Sequence, residues 1–237
     1  MFFIYNVAMS ELYPIFLRLA CQPVLIVGGG TVGLRKATGL LAAEAEVTVL
    51  SMEFHSGFEK LPTIHWITSA YAGDFLGQRE NPRWRLVFAA TNSAAVNKAV
   101  SDDAGRHGLI CCRCDDPGAG DFIGPAVQRC GPVTLAVTSG GAAPGLSGEL
   151  GRQLAAALDP VLVKHIELSG RWRGIVMRKV PAGDRRRKLL QRLSEEQIRA
   201  VIRRAGESGA EELFENWLSE SLIETSPLPD ATMDIRK

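Results

Sequence analysis

The sequence predicts an α/β protein built on a doubly wound parallel sheet. Three observations lead there. Val24-Leu25-Ile26-Val27 is a continuous β-rich apolar run, the pattern of a strand covered on both faces. Similar short runs recur along the first half of the chain. Segments with apolar residues at helical spacing separate them, and strand–helix alternation implies parallel pairing through crossovers.

The elements follow in order. Gly28-Gly29-Gly30 ends the first strand. A helix is expected over 32–43, where Val32, Leu34, Ala37, Leu40 and Leu41 recur at helical spacing. A second strand covers 46–50. Further strands are expected over 63–70, 86–90 and 109–114, with a helix over 93–106 between the last two. Beyond Asp115 the texture changes. Asp116-Pro117-Gly118 is turn chemistry. One more strand, over 133–139, is closed by Gly140-Gly141. An amphipathic helix over 146–158 is ended by Asp159-Pro160. From Val161 onward the pattern is helical throughout, with breaks near Gly183 and Gly206. The tail from Thr225, with Pro227 and Pro229, reads as disordered.

Composition narrows the function classes. Of 237 residues, 46% are hydrophobic and 22% charged, with a net charge of +1, which excludes global disorder. Five cysteines, an odd number in a chain this long, do not make a disulfide scaffold. No run reaches the ~18 apolar residues of a membrane span. Residues 1–8 are apolar but lack a basic leading region and soon meet Glu11, so they do not read as a signal peptide. Met9 is a second plausible start beside Met1, which makes residues 1–8 an extension. A cytoplasmic protein with reduced thiols, and no membrane partner, is the expectation.

Gly28-x-Gly30-x-x-Gly33 falls after a strand and opens a helix, the context a dinucleotide fingerprint requires. Gly28 permits the tight turn, Gly30 admits the pyrophosphate close to the backbone, and Gly33 lets helix and strand pack closely. The N–H groups of the helix start, at Thr31, Val32 and Gly33, attract phosphate. The acidic residue expected about 20 positions on is Glu53, with Met52 beside it. A carboxylate there accepts hydrogen bonds from ribose hydroxyls and repels a 2′-phosphate, favouring NAD over NADP. A glycine turn that binds nothing, and a Glu53 that is only a surface residue, are the plainer readings. Thr91 and Asn92, at the end of the fourth strand, are placed on the nicotinamide side or, equally, serve as a strand-to-helix cap. Asn97 reads as a helix-face residue.

Between Arg171 and Arg204 there are 12 basic and 3 acidic residues. Such a block is a solvated helical face, a nucleic-acid patch or a site for a polyanion. It lacks interleaved aromatics and any groove-reading motif, so nucleic acid is not expected. Cys111, Cys112 and Cys114 lie on one strand, where only Cys112 and Cys114 share a face. Paired C-x-x-C spacing is missing, so they read as small buried residues rather than zinc ligands. His55, His65, His107 and His165 are scattered. No metal site is expected.

A doubly wound half does not name a reaction. Tyr13-Pro14-Ile15-Phe16-Leu17, then residues 23–33, then Arg35-Lys36, are similar to the opening of the siroheme-synthase N-terminal family. The likeness continues through Phe88-Ala89-Ala90-Thr91-Asn92 and Val96-Asn97. It returns at Asp115-Asp116-Pro117, at Asp121-Phe122-Ile123-Gly124-Pro125-Ala126 and at Ser139-Gly140-Gly141-Ala142-Ala143-Pro144, covering roughly residues 11–160.

The resemblance implies a Rossmann-type NAD-binding domain over 1–124, a dimerisation region over 125–155, a helical C-terminal domain over 156–225 and a tail over 226–237. It implies a homodimer with its site at the domain junction. The implied activity is NAD-dependent dehydrogenation of precorrin-2 to sirohydrochlorin, which some members follow by inserting ferrous iron to give siroheme. Asp115 stands where the family places a carboxylate that serves as general base and takes part in chelation. On its residues alone, Asp115 also reads as a turn residue capping Pro117-Gly118, with Asp116 as the neighbour most apt to share its role. Asp121 reads as a helix cap before Phe122. Asp116 to Gly120 reads as a flexible insert. Under the resemblance the basic block gains a partner, a macrocycle ringed with carboxylates that Arg forks can hold. The plainer reading, helix surface paired with acids over 207–224, suits most of those Arg residues better. Two departures stand out. Ala143 replaces a Ser that some relatives can have phosphorylated, and the chain stops before the methyltransferase domain of larger relatives. The rival reading is an NAD-binding regulatory module with no tetrapyrrole chemistry.

Overall fold

The computed structural model describes residues 11–61, 63–78 and 83–223. The expectations about Met1, Met9, residues 1–8 and the tail with Pro227 and Pro229 lie outside those residues.

Five parallel strands form one sheet in the order β3-β2-β1-β4-β5. They are β1 (Pro23–Val27), β2 (Glu46–Ser51), β3 (His65–Thr68), β4 (Leu86–Ala89) and β5 (Cys111–Arg113). β1 is central because its apolar run needs cover on both faces. Val24, Leu25 and Ile26 are fully buried, and each buried side chain of this size contributes ~1.5–3 kcal/mol. Val24 pairs with Val47 on one side and with Leu86 on the other, so hydrophobic runs lie in register. Two crossover helices cover the sheet. Helix α1 (Thr31–Leu41) buries Gly33, Ala37 and Leu40, one stripe at helical spacing. Helix α2 (Ala94–Arg106) opens on Ser93, whose hydroxyl accepts from the Val96 N–H at 3.3 Å. The strand expected over 63–70 is shorter, His65–Thr68; Thr63 sits at a φ of 46°. It is the edge strand on that side, paired with β2 alone.

The described residues divide into two compact units, one of 11–126 and 138–147, the other of 127–137 and 148–223. In the second, β6 (Ala126–Cys130) and β7 (Val133–Val137) form a two-stranded ribbon turned at Gly131, φ 56°. The sequence reading anticipated β7 and missed β6. Helix α3 (Pro144–Ala156) follows, leaving Leu150 48% and Leu154 45% exposed.

The remaining helices pack together. α4 (Pro160–Lys179) is capped by Asp159, which accepts from the Val161 N–H at 2.9 Å, and it stops before Pro181. α5 (Asp184–Arg192) and α6 (Glu196–Ile223) complete the cluster. Trp172 stacks on Phe214 at 4.9 Å and donates its indole N–H to Glu211 at 2.7 Å. The break at Gly183 is present, and α6 is interrupted at Gly206, φ 67°. A further break at Leu193 to Glu195 was not anticipated, because no Gly or Pro marks it. There the Leu193 carbonyl accepts from Ser169 Oγ and sits 2.8 Å from His165 Nε2, so contacts from α4 replace a sequence breaker.

Candidate active site

The glycine turn is held by backbone contacts that no side chain would allow. A Cβ on Gly28, at φ 126°, would lie 2.4 Å from the Ala90 carbonyl oxygen. One on Gly33 would lie 2.0 Å from the Gly28 carbonyl oxygen. These glycines bring the ends of β1 and β4 and the start of α1 together. Gly30 differs, since a Cβ there would meet nothing within 4 Å. It is the N-cap of α1, makes no side-chain capping bond, and no acidic residue stands in the first turn. The helix therefore presents the first-turn N–H groups of Thr31, Val32 and Gly33, which have no intrahelical acceptor, to an open space. This arrangement fits a pyrophosphate.

β1 and β4 flank the point where the strand order reverses, so the crevice beyond their carboxyl ends is where a doubly wound sheet binds ligand. Around it stand the other residues singled out from the sequence. Met52 and Glu53 follow β2 and are exposed. A Cβ on Gly29 would meet the Glu53 carbonyl oxygen at 2.2 Å, so the Glu53 backbone lies directly against the glycine turn. Thr91 and Asn92 follow β4, with Asn92 exposed.

Asn97 lies on a helix face, as expected, and that face of α2 is the buried one. The side chain is fully buried and grips Thr91. Its Oδ1 accepts from the Thr91 N–H at 3.0 Å and from the Thr91 hydroxyl at 2.7 Å, while its Nδ2 donates to the Thr91 carbonyl at 3.0 Å. A buried amide with these bonds fixes the loop after β4. Helical spacing held the signal, because Asn97 falls on the face of Val100 and Ala104, both buried.

Asp115 and Asp116 have separate tasks. Asp116 accepts the Gly118 N–H at 3.1 Å and caps the 3₁₀ turn Pro117–Ala119, the role that the residues alone left open for Asp115. That turn is no flexible insert. A Cβ on Gly120 would come within 2.8 Å of the Arg113 nitrogen, so the turn folds back onto β5. Asp121 caps no helix either. Its Oδ2 accepts from the Cys111 N–H at 2.8 Å, and its own N–H donates to the Cys111 carbonyl at 2.8 Å. β5 is an edge strand, and residue 121 supplies the partner its outer side lacks.

Asp115 lies two residues past β5 and is gripped by Arg113 through Nε at 3.2 Å and Nη2 at 2.6 Å. Arg113, the last residue of β5, is a site residue that no sequence motif marks. The guanidinium holds the Asp115 carboxyl below its ordinary value; partial desolvation works the other way, and a hydrogen bond with Asn97 adds to the lowering. Asp115 is thus an ionised acceptor at neutral pH. Of the neighbouring thiols, Cys111 and Cys112 are buried in opposite layers of the core. A hydrogen bond from Cys114, with Lys36 nearby, holds Cys112 down at about 7.

Asp74, Asp103 and His107 form the one group among the described residues whose spacing suits a metal ion. Asp103 already accepts from Tyr71 Oη, from the Leu76 N–H at 3.3 Å and from Arg106 at 2.9 Å. These bonds read as a structural clasp.

In the helical unit five of the block's twelve basic residues, Arg171, Arg187, Arg192, Arg199 and Arg203, form ion pairs among the described residues. Arg171 meets Glu207 and Glu211, Arg192 meets Glu220 and lies over Trp217, and Arg203 meets Asp159. Arg173, Arg186 and Arg187 line an open groove of about 550 Å³.

Fold and site together define a dinucleotide-binding protein with a carboxylate at the crevice. Residues 15–126 match the family model described as putative NAD(P)-binding. The chain is 37% identical over 178 residues to siroheme synthase 1 of Serratia proteamaculans, covering 73% of this chain and 36% of the relative. It is 36% identical over 218 residues to siroheme synthase 2 of Aeromonas hydrophila, covering 88% and 43%. It thus spans less than half the length of the curated relatives it matches. Its fold matches a solved structure of SirC, precorrin-2 dehydrogenase, with a TM-score of 0.70 at 22% identity, covering 88% of this chain and all of that one. Most of the chain is thus similar to part of the siroheme synthases, whose N-terminal family its motifs resemble. None of its described helices is long and apolar enough to cross a membrane.

Proposed function

We propose that the protein is a precorrin-2 dehydrogenase that uses NAD to make sirohydrochlorin for siroheme biosynthesis. The observation that carries this is the pairing of an uncapped α1 N-terminus, open at Gly30, with an ionised Asp115 at the carboxyl edge of the same sheet. Gly28, Gly30, Thr31, Val32 and Gly33 would hold the pyrophosphate, and Met52 and Glu53 would flank the adenosine ribose. The Glu53 carboxylate favours NAD over NADP, since a 2′-phosphate there would meet like charge. Thr91 and Asn92, with Thr91 anchored by Asn97, would border the nicotinamide.

Bound NAD supplies the hydride acceptor. Asp115 takes the proton that leaves the reduced tetrapyrrole with the hydride. Its carboxylate is ionised beforehand, and its 26% exposure lets it pass the proton on to water. The same acceptor suits the two pyrrole protons that ferrous iron displaces, so iron insertion is a second reaction open to this site, with ferrous iron as substrate. A homodimer is supported by Leu150, Leu154 and Val127, whose exposure leaves apolar surface on α3 and β6 for a second copy. The cytoplasm is the proposed location.

The test is an anaerobic assay with precorrin-2 and NAD, run with and without ferrous iron. NADH and a sirohydrochlorin spectrum are expected in both arms, and a siroheme spectrum with iron adds the second reaction. NAD binding without turnover would overturn the dehydrogenase reading and leave the regulatory module.

A further inference from the structure

Arg113 closes β5, paired in register with Ala89, and its side chain is only 11% exposed. Asp115 lies two residues beyond Arg113, in the bend that follows the strand. Both hydrogen bonds that Arg113 makes among the described residues go to Asp115, one to each carboxylate oxygen. Such a fork fixes the plane of a carboxylate as well as its charge, which an ammonium cannot do. The Pro117–Ala119 turn backs onto the Arg113 nitrogen through Gly120.

We propose that Arg113 is a positioning residue that acts through Asp115, fixing which way the carboxylate faces and keeping it a pure hydrogen-bond acceptor until substrate arrives. The inference rests on the dehydrogenase reading only for what Asp115 then does. The charged groups around the pair are few. Asp116 acts on Arg113 from the following turn, Arg35 and Lys36 of α1 act on Cys114, and α2 contributes the neutral Asn97 amide. A buried-side guanidinium committed to one carboxylate therefore dominates its protonation. The lowered titration of Asp115 agrees with that geometry.

The experiment is a carbon-13 NMR titration of the Asp115 carboxyl, assigned with Asp115→Asn, in the unaltered protein, in Arg113→Leu and in Arg113→Lys. The acid limb of kcat/KM for precorrin-2 is recorded alongside. In Arg113→Leu the Asp115 midpoint is expected to rise by about one pH unit or more, and the acid limb to rise with it. Arg113→Lys, which keeps the charge without the fork, should restore most of the midpoint but not kcat. An Asp115 midpoint unmoved in Arg113→Leu would overturn the proposal. If that variant does not fold, an unaltered kcat in Arg113→Lys would overturn it as well. A midpoint that moves in a protein that oxidises no precorrin-2 would uphold Arg113's hold on Asp115 and overturn the dehydrogenase reading instead.

Discussion

Two carboxylates of the nucleotide-binding unit stand at opposite ends of helix α2 and teach different lessons. Asp103, near its C-terminus, is 1% exposed and accepts from a phenol, a backbone N–H and a guanidinium. Asp115, beside the Asn97 end, is 26% exposed and is held by one guanidinium fork. Both titrate below their ordinary value. For Asp103 burial works against this, and the bonds from Tyr71, Leu76 and Arg106 overcome it; for Asp115 the Arg113 bond leads. The first carboxylate is spent on structure, because its oxygens are enclosed and the Leu76 N–H and the Tyr71 hydroxyl would lose their partner without it. The second keeps access to water and crevice.

Substitution should separate the two. Asp115→Ala should lower turnover by at least about 10²-fold, the scale of a lost acid–base group, while NAD affinity by calorimetry stays nearly unchanged. Its stability in urea should fall by no more than about 1 kcal/mol, as expected for a partly exposed ion pair. Asp103→Ala should do the reverse. Stranding the Tyr71 hydroxyl and the Leu76 N–H should cost about 2–4 kcal/mol of stability, with NAD affinity of the folded fraction retained. A variant of Asp103 that loses NAD binding but not stability would break the contrast.

Acid sharpens it further. A carboxylate whose folded value is depressed contributes stability that is present above its unfolded value and lost as pH falls through the folded one. Urea midpoints should therefore decline as pH drops below the ordinary Asp value near 3.8, and Asp103→Asn should flatten that decline. A smaller effect is expected at the cofactor edge. Glu53→Gln should weaken NAD by roughly tenfold, about 1.4 kcal/mol, and narrow its advantage over NADP in a binding titration.

The sheet was legible in the sequence because its strands are continuous apolar runs and its turn is glycine-marked, signals that are local. Asp115 was legible as a strand-end carboxylate within a recognisable motif. What escaped depended on contacts across sequence distance. Asn97 looks like any polar residue on a helix until Thr91 is brought beside it. Asp121 seemed poised to cap a helix, but the open edge of β5 claimed it. β6 was missed because its alternating half-buried residues, Ala126-Val127-Gln128-Arg129-Cys130, form no apolar run. Arg113 escaped because its partner Asp115 lies past the end of β5, in a bend where strand alternation no longer applies.

A crystal structure of the protein with NAD shows whether cofactor and base share one crevice beyond β1 and β4. The pyrophosphate should rest on the Thr31 to Gly33 amides, with the nicotinamide ring reaching past Thr91 to the Asp115 carboxylate and no side chain between them. A dinucleotide seated elsewhere, or a ring turned away from Asp115 toward the β3 edge, would contradict the shared crevice.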